Sequence, residues 1–131
     1  MTDSALSLLG LALRGGNLAV GEEPVSEACK TGRAKLVLTA ADAAENSVDR
    51  AARAAETAGV PWIRLSLDKE ALGGALGRKL CAVAALTDRG LAGTFAQKLA
   101  REDESLRLTL EPLLNEKKKP RAVKKPAVRE N

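Results

Sequence analysis

The chain has 131 residues, 29% of them charged and 45% hydrophobic, with a formal net charge of +4. That length fits one domain able to bury a core without metal or disulfide staples, and 24 alanines and 21 leucines favour helices over an all-β fold. With no histidine and no tyrosine, Ser–His and Cys–His nucleophiles and any zinc site with a histidine ligand are excluded.

In chain order, Asp3 or Ser4 is placed to cap a first helix carrying Leu6, Leu9 and Leu13, which Gly15-Gly16-Asn17 ends. Leu18-Ala19-Val20 reads as a short strand. Gly21-Glu22-Glu23-Pro24 starts a second helix, because proline is tolerated in a first turn and acids suit the positive helix end. Val25, Ala28 and Cys29 share its apolar face, and Gly32 stops it. Lys35 to Thr39 is a near-continuous apolar run, as in a strand buried on both faces. A third helix follows Asp42 and Asn46, with Val48, Ala51, Ala52 and Ala55 inward, and ends at Gly59. Trp62 to Leu65 is a strand, and Asp68 caps a short helix through Leu72 and Leu76. Cys81 to Thr87 is another buried strand, and Thr87 or Asp88 caps a helix reaching about Glu102. Ser105 to Leu114 reads as a short helix or strand, with Pro112 leaving the choice open. Alternating helices and strands make the fold α/β, with helices on both faces of a small sheet.

Charge divides the chain at residue 114. Residues 1–114 carry 14 Lys/Arg against 15 Asp/Glu, whereas residues 115–131 carry seven basic side chains against Glu116 and Glu130. With Pro120 and Pro126 and no apolar periodicity, residues 115–131 read as a disordered basic tail, of a kind that attracts polyphosphates without reading sequence. Residues 1–114 are the domain. Cys29 and Cys81 read as free buried thiols, and two aromatic residues, Trp62 and Phe95, are too few for a base-stacking platform. No run of about 18 apolar residues occurs, and Asp3 stands where a signal peptide is positive. The expectation is a cytoplasmic protein that does not enter a membrane. Gly73-Gly74 with Gly77 either lets a backbone pass closely or binds phosphate; close packing is the plainer reading.

The stretch from Gly32 to Asn46 (Gly-Arg-Ala-Lys-Leu-Val-Leu-Thr-Ala-Ala-Asp-Ala-Ala-Glu-Asn) resembles the signature of a ribosomal-protein superfamily that binds kink-turn RNA. That superfamily holds the archaeal L-seven-Ae and L-thirty-e types and a bacterial YlxQ-like branch. Ser7-Leu8-Leu9-Gly10-Leu11-Ala12 resembles the opening helix of the bacterial branch, and Gly21-Glu22-Glu23 precedes the signature at the family spacing. Val60-Pro61, the Leu72-Gly73…Gly77 pattern and Thr87-Asp88-Arg89-Gly90 complete the match over about residues 4 to 101. The resemblance implies a three-layer α-β-α sandwich with a small mixed four-stranded sheet. It also implies an RNA surface made of the start of the second helix and the loop before the last strand.

Carried over residue by residue, Gly21 matches the motif glycine, and Glu23 stands where archaeal relatives have a base-contacting Asn. Pro24 replaces the motif Glu, and Glu27 replaces the motif Lys, reversing its charge. Lys30 and Arg33, a turn onward, are expected to restore part of that charge, while Arg78, Lys79 and Leu80 supply two cations and an apolar group from the second loop. The RNA-binding set is therefore Gly21, Glu22, Glu23, Lys30, Arg33, Arg78, Lys79 and Leu80. The expectation is a non-catalytic RNA-binding protein, associated with a ribosome or a structured RNA. No cofactor, metal or small-molecule substrate is expected. The alternative is a protein-interaction module of the same fold that has lost kink-turn recognition, motivated by Glu22, Glu23 and Glu27.

Overall fold

The computed structural model describes residues 2–122, with side chains described from residue 2 to residue 114. Four short strands, β1 (Leu18–Val20), β2 (Leu36–Thr39), β3 (Trp62–Arg64) and β4 (Val83–Leu86), form one sheet in the order β1-β4-β2-β3. β4 runs antiparallel to both β1 and β2, and β2 runs parallel to β3, so the sheet is mixed.

Side chains alternate across β2 as a pleated strand requires. Val37 faces α2 (Glu22–Lys30) and α3 (Glu45–Ala58), packing with Val25, Ala28, Ala51 and Ala55. Leu36 and Leu38 face the other way, into a larger cluster with Leu9, Leu72, Phe95 and Leu110. Those come from α1 (Asp3–Arg14), α4 (Lys69–Ala75), α5 (Arg89–Glu102) and α6 (Arg107–Ala122). The result is the expected α-β-α sandwich. Thr39, the buried polar residue of the core, accepts a hydrogen bond on its hydroxyl from the Trp62 indole at 3.1 Å, so its burial leaves that oxygen paired.

Two expectations are corrected. The first helix is capped by Thr2, one residue earlier than expected, whose hydroxyl accepts from the Ala5 N–H at 3.3 Å. Downstream of Ser105, a 3₁₀ turn (Glu104–Leu106) leads into α6, a helix of 16 residues rather than a short element. Leu110, Leu113 and Leu114 recur at helical spacing and are buried, and their burial outweighs Pro112 inside the helix. The carbonyl that Pro112 cannot serve belongs to Leu108, a residue that is 79% exposed. α6 thus runs past the expected domain boundary at residue 114, and residues 123–131 of the expected tail lie outside the described residues.

The sheet has two ends that matter for function. At one, Thr39 pairs with Val83 and Gly21 donates its N–H to the Val83 carbonyl at 3.0 Å. At the other, Leu36 and Leu18 both pair with Leu86, and the Lys35 N–H donates to the Leu86 carbonyl at 2.7 Å. They are called the Gly21 end and the Lys35 end below.

Candidate nucleic-acid interface

Gly21 turns the chain from β1 into α2 at φ 103°, ψ 162°, a conformation that essentially only glycine adopts without strain. No side chain caps the helix it starts. Val25 donates to the Gly21 carbonyl at 3.1 Å and Pro24 has no N–H, so the first turn presents the backbone N–H groups of Glu22 and Glu23. Such a turn carries the positive end of the helix dipole and suits a phosphate.

Of the three acids on α2, Glu22 is committed elsewhere. Hydrogen bonds from Ser47 Oγ at 2.5 Å and Arg50 Nε at 2.8 Å hold its carboxyl below the usual glutamate range, and Arg50 Nη2 approaches to 2.7 Å. Glu22 therefore ties α2 to α3 and is not an open acceptor for a base. This pairing spans 25 and 28 positions, and nothing local in the sequence marks it. Glu23 and Glu27 are exposed.

The loop before β4 reaches the same end. Gly77 turns at φ 73°, the Arg78 N–H donates to the Gly73 carbonyl at 2.8 Å, and Cys81 N–H donates to the Lys69 carbonyl at 3.0 Å. The glycine-rich pattern read as close packing or phosphate binding is explained by packing at Gly73. A Cβ there would stand 2.8 Å from both Leu80 N and Leu80 Cα, so the loop backbone lies directly on α4 where only hydrogen fits. Held this way, Arg78, Lys79 and Leu80 are exposed, Leu80 by 59%. The loop enters β4 at Val83, the residue that anchors Gly21. Gly21, Glu22, Glu23, Arg78, Lys79 and Leu80 are thus brought to one end of the sheet.

Lys30 and Arg33 are not. Lys30 is the last residue of α2, about 12 Å along the helix axis from its start, and Arg33 precedes β2. The structure places both toward the Lys35 end, with Lys30 one turn beyond Glu27 and two turns beyond Glu23. Cys29 and Cys81 are free and buried, and burial pushes both thiols up, away from the reactive thiolate. Among the described residues no group of three or more Cys, Asp or Glu is placed to hold a metal ion, and no helix is long and apolar enough to cross a membrane.

Residues 3–93 match the ribosomal protein L7Ae/L30e/S12e/Gadd45 family. The chain is similar to the RNA-binding protein YlxQ of Bacillus subtilis (strain 168), with 35% identity over 92 residues that cover 70% of this chain and 87% of the relative. It is also similar to a solved structure of a protein with unknown function from Bacillus halodurans C, at 29% identity and a TM-score of 0.68, covering 73% of this chain and 96% of that one.

Proposed function

The chain belongs to the ribosomal protein L7Ae/L30e/S12e/Gadd45 family, and from that premise we propose that it is a non-catalytic RNA-binding protein that docks a structured RNA at the Gly21 end of its sheet. The observation that carries this reading is the convergence on Val83 of an uncapped helix start and a loop with two cations and an exposed leucine. The α2 start receives a phosphate on backbone N–H groups, Arg78 and Lys79 contribute charge, and Leu80 covers an unstacked base. The Bacillus subtilis relative, named as an RNA-binding protein, points the same way.

The RNA proposed is a kink-turn, as the family resemblance implies, read with fewer contacts than the archaeal motif supplies. Glu23 accepts from base N–H groups, whereas Pro24 has no polar side chain, Glu27 repels phosphate and Glu22 is held by Ser47 and Arg50. Selectivity then falls to Glu23 and the loop. Fluorescence anisotropy tests this with the full chain, a kink-turn RNA, and the same RNA with its sheared G·A pairs replaced, at near-physiological salt. The expected result is a preference of about tenfold, worth about 1.4 kcal/mol, that disappears in R78A/K79A/L80A. Equal binding of the two RNAs by the unaltered chain would count against it. It would favour the second reading, a protein-interaction module, for which the exposed acids Glu23 and Glu27 on α2 speak.

A further inference from the structure

We propose that two copies of this chain associate through the exposed face of α1, in an antiparallel two-fold pair that sets Asp3 of each copy against Arg14 of the other. The surface is independent of the RNA reading, because α1 packs on the face of the sheet opposite α2.

Asp3, Ser7, Gly10 and Arg14 follow one another at spacings of four, three and four, so they fall on one stripe of the helix. The stripe borders an open groove of about 560 Å³ between α1 and α4, whose far wall is made by Ala71 and Ala75. The floor of this groove is backbone: a Cβ built at Gly10 would stand 3.4 Å from the Ala75 carbonyl oxygen. Beside the stripe Leu11 is 56% exposed, whereas Ala5, Leu9 and Ala12 of the same helix are wholly buried. α5 covers the other flank, where Lys98 Nζ donates to Ser4 Oγ at 2.6 Å. The side of α1 left open therefore bears Asp3, Ser7, Leu11 and Arg14.

The occupant follows from the charges. Asp3 and Arg14 stand roughly 16 Å apart along the helix axis. Neither forms an ion pair among the described residues. They lie at equal distances on either side of a midpoint between Leu8 and Leu9. A second α1 laid antiparallel about that midpoint sets Asp3 against Arg14 at both ends and brings the small residues Ser7 and Gly10 to the crossing. The two Leu11 side chains then lie on the same flank, about 7.5 Å apart along the axis, and cover one another. A parallel pair would set Asp3 on Asp3 and Arg14 on Arg14, so charge selects the direction as well as the partner. With one acid and one base the stripe has no net charge, which suits a self-complementary protein contact and not a polyanion.

Sedimentation equilibrium of the full chain, freed of nucleic acid by nuclease and high salt and then measured near physiological salt, tests the proposal. One helix from each copy makes a small interface, so a Kd of about 10 to 500 μM is expected. D3R and R14E should each weaken the dimer at least about tenfold, because each sets like charges together at both ends. An equimolar mixture of the two variants should restore it, since each supplies the charge the other needs, and so should D3R/R14E. L11S should weaken it by about tenfold, with thermal melts showing that the domain stays folded. Asp3 and Arg14 also suit the helix ends on which they stand. An effect through the helix alone would add up in D3R/R14E, which sets both charges against the dipole, and mixing would not relieve it. A chain that stays monomeric to about 1 mM, a dimer that D3R and L11S leave unchanged, or single variants rescued neither by mixing nor by D3R/R14E would overturn the proposal.

Discussion

At the scale of single residues, two glycines in the same helix have opposite roles. Gly73 leaves room for the backbone of Leu80, whereas nothing lies within 4 Å of a Cβ built at Gly74. Gly73→Ala should therefore push the Gly77–Ala82 loop off α4, cost about 1 to 3 kcal/mol of stability as overpacking does, and weaken RNA binding through the displaced Arg78 and Lys79. Gly74→Ala should be neutral or stabilise by about 0.5 to 1 kcal/mol, since alanine is the better helix former. Urea denaturation of the pair, read beside RNA affinity, checks both. Glu22 makes a pH-dependent prediction. Its carboxyl is held below the usual range by Ser47 and Arg50, so it adds stability above the ordinary glutamate value and loses it as the pH falls through the lower folded value. Glu22→Gln should cost a few tenths of a kcal/mol at pH 7, because the pair is solvent-exposed. The difference should close once the pH is well below the ordinary value of about 4.3. Thermal melts at pH 7 and pH 3 measure the gap; an equal gap at both would remove the ionic role.

At the scale of elements, α6 shows what burial does against local propensity. Leu110 is wholly buried and Leu113 and Leu114 nearly so, all from a helix that contains Pro112. Leu110→Ala should destabilise the domain by about 2 to 5 kcal/mol, because it strips packing from the core and leaves a cavity beside Phe95, Leu99 and their neighbours. A smaller effect, within 1 kcal/mol by urea denaturation, would mean that α6 is an accessory rather than part of the core. The same helix marks where sequence reasoning stops. Asp68 and Asp88 are legible as caps because the signal lies within four residues of the donors they serve, the Ala71 and Leu91 N–H groups. The buried strands at Leu36–Thr39 and Val83–Leu86 are legible because a continuous apolar run has few other uses. α6 is not, since Pro112 argues locally against a helix that tertiary packing of three leucines decides. Within the candidate site, Gly21 and the Arg78–Leu80 loop are legible from motif spacing. The grip of Ser47 and Arg50 on Glu22, and the separation of Lys30 and Arg33 from Gly21, are set by tertiary geometry and leave no local trace.

At the scale of the whole molecule, the two ends of the sheet differ in character. The Gly21 end collects Glu22, Glu23, Asp42 and Glu45 near its helix starts and offsets them with Arg78 and Lys79. The Lys35 end places Lys35 and Arg89 beside Asp88, the cap of α5, and close to Glu56 in the last turn of α3. The sheet between these ends has a further consequence. Its two edges, β1 and β3, are three residues long each. Edges that short give an incoming strand almost no ladder to extend, so this domain is poorly suited to growing edge to edge into larger β-assemblies or to capturing an extended peptide as a fifth strand. Its contacts with other molecules are left to helices and loops, which can be recharged residue by residue without disturbing the sheet that holds them in place.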